Sequence, residues 1–446
     1  MILYQGKLYE SSEQDNLLDR LEEDINLVRL HQKLTTQEVI DALAQMGDKI
    51  ASGVFDTIIQ ELAIEGIERY IGMLILMLKK ETLTYKVESE LGQDFFVEWQ
   101  TNPPLGQTKV GVKPMPLGTI FHIAAGNMDG LPVFSVAEGL LTGNVNILKL
   151  PQADNGLSIQ FFLKLIEIQP KLKDFIYVFD TPSSDFTAMI KMGEMSDGIV
   201  TWGGDDSIAA VRKFAKPGTK LIEWGHKLGF AYISGYEDKE AELTALAEHI
   251  FITKQLLCNS CQTIYLDTDK IDDVHQFCVE FLPYMEASSK KYLVNTIGSM
   301  AEITLRRYSD EIMGVLAAHA ANSTGENNAD NADKQRPANK TYQARGCSLM
   351  ACHDSELELS YMFGNCLVKR LPKDQMMSVL RRNKGYLQTA GLICAPEERE
   401  ELVEILARAG VVRIMRAGNM SESYCGEAHD GEYPLRRYTR IVNVEP

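Results

Sequence analysis

A primary amide, a carboxylate and a thiol stand in that order along this chain at Asn127, Glu223 and Cys258. These are the parts of a thiol-dependent acyl-transfer site. The thiolate attacks a carbonyl, the amide N–H stabilises the oxyanion, and the carboxylate handles protons. Cysteine suits the first task because it is intrinsically nucleophilic and its pKa is easily lowered. Cys258 sits in Lys254-Gln-Leu-Leu-Cys258-Asn-Ser-Cys-Gln262, between an expected helix end and an apolar strand at 263–266.

Each residue also has a plainer reading. Cys258 competes with the buried structural cysteine, the usual fate of a thiol without special chemistry. Asn127 competes with an ordinary turn asparagine after Gly126, and Glu223 with a surface glutamate at a strand end. Cys261 makes a C-x-x-C with Cys258, which suggests half a zinc site, a redox pair or a disulfide that would block activity. No second C-x-x-C or H-x-x-x-H completes a tetrahedral site, so no metal is expected.

The elements that must position these residues read as an α/β protein. Apolar strands at 119–124, 145–148, 175–179, 198–201 and 220–222 alternate with helical stretches near 130–142, 155–167, 185–193 and 205–215. That alternation predicts parallel βαβ units in a doubly wound sheet. A second α/β set follows from Ala231 to Met415. The first 90 residues read as helices, with Leu17, Leu18, Leu21, Ile25 and Val28 at helical spacing and a capping box at Thr35-x-x-Glu38. Residues 94–120 read as extended chain with turns. Residues 321–340 are rich in Asn, Asp and Ala without apolar periodicity, which suggests a mobile surface insertion. The tail 438–444 alternates like a strand, and 94–112, in this subunit or a neighbour, is its expected partner.

Composition narrows the function class. The chain has 446 residues, enough for two or three domains, and a formal net charge of −17. That charge argues against nucleic acid, since little offsets phosphate repulsion. The apolar run at 70–78 ends in Lys79-Lys80 and is far shorter than the roughly 20 residues a membrane span needs. Without a secretory signal at the start, the eight cysteines are expected to be reduced thiols in a cytoplasm.

With these pieces placed, the chain resembles the aldehyde dehydrogenase superfamily, and within it the LuxC-type acyl-CoA reductases (fatty acid reductases). The resemblance is carried by His122-Ile-Ala-Ala-Gly126-Asn127, by Glu223-Trp-Gly225-His-Lys227, and by Gly418-Asn-Met, His429-Asp-Gly431, Leu435-Arg-Arg and Arg440-Ile-Val-Asn-Val-Glu445. It implies an aldehyde-dehydrogenase-like fold with three parts. Residues 1–93 and 113–222 would form a Rossmann-type nucleotide-binding domain, 223–425 an α/β catalytic domain, and 94–112 with 426–446 an oligomerisation arm.

The implied activity is NADPH-dependent reduction of a fatty acyl thioester, acyl-CoA or acyl-protein, to the aldehyde. Cys258 would carry the acyl group, Asn127 and the Cys258 backbone N–H would hold the oxyanion, and Glu223 would relay protons. Lys149 would contact the adenosine ribose. Gln152 stands where NAD-using members often carry a glutamate, and a neutral residue there would not repel a 2′-phosphate. Gly203 and Gly204 would let backbone N–H groups approach the pyrophosphate, with Asp205 and Asp206 capping the following helix. Ala124 completes the cofactor-site set. The plainer readings are a solvated strand-end lysine for Lys149 and an ordinary turn for Gly203-Gly204.

One departure is Tyr361-Met-Phe363-Gly364, where the superfamily has Glu-x-Phe-Gly, so no residue is assigned to hold the nicotinamide ribose. His226 replaces a glycine of the superfamily's Glu-Leu-Gly-Gly-Lys. The competing activities are aldehyde oxidation to an acid, with Glu223 activating water, and a non-catalytic scaffold subunit. An acyl-protein synthetase partner and a homodimer or dimer of dimers are expected, and loss of 436–446 is expected to weaken the assembly.

Overall fold

The computed structural model describes all residues except 58–59, 61–66, 103, 105–107, 126–129, 155, 293–296, 324–338 and 446. The chain divides into two compact units. One comprises Met1–Gly225 with Tyr424–Pro446, and the other comprises His226–Ser423.

The first unit is built on a seven-stranded sheet. Its five parallel strands lie in the order Ile176–Phe179, Val145–Lys149, Thr119–Ile123, Gly198–Trp202 and Lys220–Trp224. Numbered along the chain, that order is third, second, first, fourth, fifth. The order reverses between Thr119–Ile123 and Gly198–Trp202, and ligands of open α/β sheets bind beyond the strand ends at such a point. Val145–Lys149 and Ile176–Phe179 are buried throughout, as expected of parallel strands covered on both faces. Helices Leu131–Leu141, Leu157–Ile168, Phe186–Glu194 and Asp205–Phe214 alternate with the strands.

The start of the chain corrects the all-helical reading of the first 90 residues. Ile2–Tyr4 and Lys7–Tyr9 form a hairpin, and Leu3 pairs with Val178 to extend the sheet. Gln5 and Gly6, both at positive φ, make the turn that a two-residue hairpin loop requires. Three-residue strands carry too little periodicity to be seen in sequence. The capping box at Thr35 is present, with the Glu38 N–H donating to Thr35 Oγ1 at 3.3 Å and the Thr35 N–H to Glu38 Oε2 at 2.8 Å. It opens helix Thr36–Ala51, which buries Val39, Ile40, Leu43, Met46 and Ile50.

The C-terminal segment returns to this unit. Leu435 and Tyr438 are fully buried. The Leu435 N–H donates to Glu90 Oε2 at 2.8 Å, and the Arg436 guanidinium donates to the Glu90 carbonyl. Glu90 and Glu138, both buried, share the ammonium of Lys86 at 2.5 and 3.0 Å. The Tyr438 hydroxyl reaches Glu138 at 3.4 Å. Beyond it, Thr439–Val444 pairs antiparallel with Gly111–Pro116, which pairs on its other side with Trp99–Gln100. The tail therefore finds its partner in its own chain, in a strand that begins within the stretch 94–112 and runs on to Pro116. The expected surface insertion at 321–340 lies largely outside the described residues.

The second unit holds another seven-stranded sheet. Its order is Lys340–Ala344, Cys347–Ala351, Asn365–Arg370, Cys261–Leu266, Leu228–Ile233, Leu387–Ile393, Arg413–Arg416. All neighbours are parallel except the first pair. Helices Lys239–Thr253 and Ile271–Tyr292 flank the strand that follows Cys258. Among the described residues, no helix is long and apolar enough to cross a membrane.

Candidate active site

Cys258 lies on the loop joining helix Lys239–Thr253 to strand Cys261–Leu266, and it is the exposed member of the eight cysteines. Six others are buried and Cys425 is half-buried. All eight are among the described residues, and no disulfide joins any of them. Cys261 begins the strand, fully buried, and burial pushes its thiol up to about 12. The C-x-x-C spacing therefore puts one sulfur in solvent and one in the core. Among the described residues no cluster of three or more His, Cys, Asp or Glu is placed to hold a metal ion.

The loop is held from several sides. The helix ends at Lys254 and Gln255, both left-handed at φ 51° and 59°. A facing segment, Met362, Phe363 and Gly364, is left-handed at φ 62°, 50° and 84°. The Phe363 N–H donates to the Lys254 carbonyl at 3.1 Å, and the Gly364 N–H to Gln255 Oε1 at 2.9 Å. Four non-glycine residues in this region each cost about 1–3 kcal/mol, and such strain collects at functional sites. The Tyr361–Gly364 stretch thus buttresses the cysteine loop in this chain. Sequence offered no signal for that, since none of the four non-glycines is an Asn or Asp that favours positive φ.

Three glutamines complete the support. Buried Gln255 donates Nε2 to the Cys261 carbonyl at 2.8 Å and to Ser360 Oγ at 3.0 Å. Gln262 donates to the Gln255 carbonyl at 2.7 Å and accepts from Ser360 Oγ at 2.8 Å. Gln388, on strand Leu387–Ile393, donates Nε2 to Cys258 Sγ at 3.4 Å. The Cys261 N–H donates to Nε2 of His249 at 3.4 Å, and burial pushes this imidazole down to about 4, so it is a neutral acceptor at pH 7.

Gly229 sits under the loop, where a Cβ would stand 2.5 Å from the Ser260 carbonyl oxygen and 3.1 Å from the Asn259 carbonyl carbon. Gly229→Ala is expected to push the loop out of place. Turnover should fall about 100-fold, with a loss of about 1–3 kcal/mol in thermal unfolding.

Glu223 lies on strand Lys220–Trp224 of the first unit. Both its oxygens are taken by Arg212, whose Nε and Nη2 each donate at 2.6 Å. Arg212 comes from helix Asp205–Phe214, and sequence reading missed it because the two residues meet only when helix and strand pack. Asn127 lies outside the described residues. His122, of the same motif, is fully buried between Ser135 (2.7 Å) and Asn146 (3.0 Å), and burial lowers it to about 4. His226 lies beside Tyr386, with ring centroids 6.1 Å apart and the rings tilted at 53°.

The cofactor candidates all fall at the carboxyl ends of the first sheet. Lys149 ends its strand buried, donates Nζ to Ser183 Oγ at 2.9 Å, and has its pKa lowered by burial. It is not the solvated strand-end lysine of the alternative reading. Gln152 is exposed. Ala124 follows Thr119–Ile123, and Gly203 and Gly204 follow Gly198–Trp202, so they flank the point where strand order reverses. A Cβ on Gly204 would meet nothing within 4 Å, leaving open space at the helix start. Gly204 is itself the N-cap, and Asp205 and Asp206 stand in the first turn without capping it. This corrects the capping role expected of them. Their charges still suit the helix N-terminus. A buried ammonium at Lys149 and an open, glycine-lined helix start at Gly204 are chemistry compatible with a bound dinucleotide.

Comparison with known proteins decides the family. The family model for acyl-CoA reductase (LuxC) matches residues 31–441. The chain belongs to this family. Among LuxC-like relatives, a long-chain acyl-protein thioester reductase of Vibrio harveyi is 24% identical over 379 residues, 83% of this chain and 72% of that one. Long-chain acyl-protein thioester reductase 2 of Photobacterium leiognathi is 23% identical over 447 residues, 95% and 85% of the two chains.

Solved structures similar to this LuxC-family chain are aldehyde dehydrogenases. Aldehyde dehydrogenase 21 from Physcomitrella patens, in complex with succinate, aligns with TM-score 0.69 at 13% identity, covering 98% of this chain and 91% of that one. NADP-dependent glyceraldehyde-3-phosphate dehydrogenase from Bacillus halodurans C-125, complexed with NADP, aligns with TM-score 0.68 at 13% identity, covering 98% and 92%. The LuxC-family chain has the aldehyde dehydrogenase fold, as the resemblance implied.

Proposed function

We propose that the protein reduces the acyl group of an acyl-CoA or acyl-protein thioester to the aldehyde through an acyl-Cys258 enzyme. The observation that carries this reading is the placement of Cys258, a single exposed thiol on a strained and heavily braced loop. The thiolate attacks the thioester carbonyl, Asn127 and the Cys258 backbone N–H hold the oxyanion, and the carrier leaves as a thiolate that takes its proton from water. A nicotinamide cofactor, when bound, supplies the hydride. Collapse of the Cys258 thiohemiacetal then releases the aldehyde and restores the thiolate.

The Arg212–Glu223 pair favours reduction over aldehyde oxidation. A carboxylate with both oxygens held by a guanidinium must be released before it can activate water, and water attack on an acyl-enzyme is a wasteful side reaction for a reductase. The test is incubation with acyl-CoA, aldehyde and both cofactors while the absorbance of the reduced nicotinamide is followed. Consumption with acyl-CoA supports the proposal. Formation of reduced cofactor from aldehyde without CoA would assign it to the oxidising class, and no change would point to a scaffold.

NADPH is the cofactor we propose, because Lys149 is accompanied by neutral Gln152. Calorimetry should give tighter binding of NADPH than NADH, and Gln152→Glu should reverse part of that preference by repelling the 2′-phosphate. Tighter NADH binding by the unaltered protein would overturn the assignment.

We also propose a homo-oligomer, with an acyl-protein synthetase as the natural acyl donor. Strand Thr439–Val444 ends its three-stranded sheet and exposes Ile441 and Val444, and a second copy would cover such an edge. Since Tyr438 is buried, trimming must begin after Thr439 rather than at 436. Loss of residues 440–446 should lower the light-scattering mass, whereas a full-length mass near the 49.9 kDa of one chain would refute the oligomer.

A further inference from the structure

Strand Leu228–Ile233 is interrupted at Gly229 along both edges. On one side Gly229 pairs with Cys261 and Phe230 with Thr263, so Gln262 is left between them. On the other side Leu228 pairs with Leu387 and Phe230 with Ala390, so Gln388 and Thr389 face Gly229 alone. Irregularities of this kind free a residue from the ladder and re-aim its side chain, and they collect beside active sites. Both freed glutamines serve the same loop. Gln262 braces the Gln255 backbone, and Gln388 reaches the sulfur.

The Gln388 contact joins a side chain that is 5% exposed to a thiol that is exposed. Its Nε2–H donates to Cys258 Sγ at 3.4 Å. A neutral thiol is a weak acceptor, whereas a thiolate accepts strongly, so the contact favours the charged form. The strand that carries it is paired along both edges and buried throughout, which fixes where the donor points. We propose that Gln388 is a positioning residue for the acyl-transfer reaction, holding Cys258 in its attacking orientation and stabilising its thiolate. The inference rests on the reading of Cys258 as the nucleophile.

The experiment is carbamidomethylation of Cys258 by iodoacetamide across pH, read by peptide mass spectrometry on the full chain and on Gln388→Leu and Gln388→Glu. The Leu variant should move the inflection of the rate curve up by about one unit. The near-isosteric Glu variant should move it further, because a carboxylate repels the thiolate. CoA release from acyl-CoA without cofactor should fall about 10-fold at pH 7 in Gln388→Leu and recover towards the parent rate above the new inflection. NADPH binding should be unchanged. A merely structural role lowers the rate at every pH and leaves the inflection in place. Inflections that coincide with the parent in both variants would overturn the proposal. The alkylation curve reports on Gln388 whether or not Cys258 carries the acyl group, and an acyl mass found on a different residue would overturn the nucleophile assignment separately.

Discussion

Cys258→Ala is expected to lose acyl-thioester reduction by at least about 1,000-fold while unfolding at the same temperature as the parent. The loss follows from removing the group that would carry the acyl chain. The unchanged stability follows from exposure, since a substitution in solvent normally shifts stability by less than about 0.5 kcal/mol. Cys261→Ala should behave in the opposite way. Its sulfur is wholly buried, beside the Thr263 carbonyl at 3.6 Å, so removing it should cost about 1 kcal/mol of stability with turnover retained. The measurements are reduced-nicotinamide consumption over a panel of acyl-CoA lengths, mass spectrometry for the acyl adduct, and thermal unfolding. Normal turnover by Cys258→Ala would reject the assignment.

The largest stability effect is expected at Lys86, far from Cys258 in sequence. Lys86 is the shared partner of two buried carboxylates. Its burial opposes its charge, and Glu138 and Glu90 together outweigh burial and raise its pKa. Burial raises the pKa of Glu138, and Lys86 pulls it back. Lys86→Met removes that pull and leaves two carboxyl groups in the core without a cation, a defect of about 3–5 kcal/mol.

The sign of the pH dependence follows. Glu138 has a folded pKa above its unfolded value, so its contribution is full below the unfolded value and is lost as pH rises through the folded one. In Lys86→Met the folded value rises further, so the variant should be weakest at pH 7 and regain stability towards pH 5. Adding Glu138→Gln should recover part of the loss at pH 7. Denaturant unfolding at the two pH values measures this, and equal losses at both would exclude the carboxyl mechanism.

The first sheet was legible because parallel strands are continuous apolar runs. Each of 119–124, 145–148, 175–179, 198–201 and 220–222 overlaps a strand at nearly the same bounds. The same periodicity cannot see register. Gln388 reaches Cys258 only because the pairing slips at Gly229, and Arg212 reaches Glu223 only because a helix packs beside a strand. Nor does composition signal the left-handed pair Met362-Phe363, whose conformation is imposed by its partners in space. Cys258 and Cys261 were inseparable by type, and the strand boundary between them separates them. Asp205 and Asp206 looked like caps because their residue type favours that position, yet the backbone turns one residue earlier, at Gly204.

The return of residues 424–446 to the first unit sets an order of events during synthesis. The ribosome releases the parallel strands of that unit early, but Leu435, Tyr438 and the strand Thr439–Val444 emerge only after the whole of 226–423. Until then Glu90 lacks its backbone donor from Leu435, Glu138 lacks the Tyr438 hydroxyl, and Gly111–Pro116 lacks the neighbour along its full length. The stretch 226–423 is complete and able to collapse on its own sheet before the first unit is closed. A nascent chain stalled between residues 424 and 434 therefore has every residue of the second unit while the first unit is still unfinished. Its exposed strand Gly111–Pro116 is the surface a chaperone would have to shield.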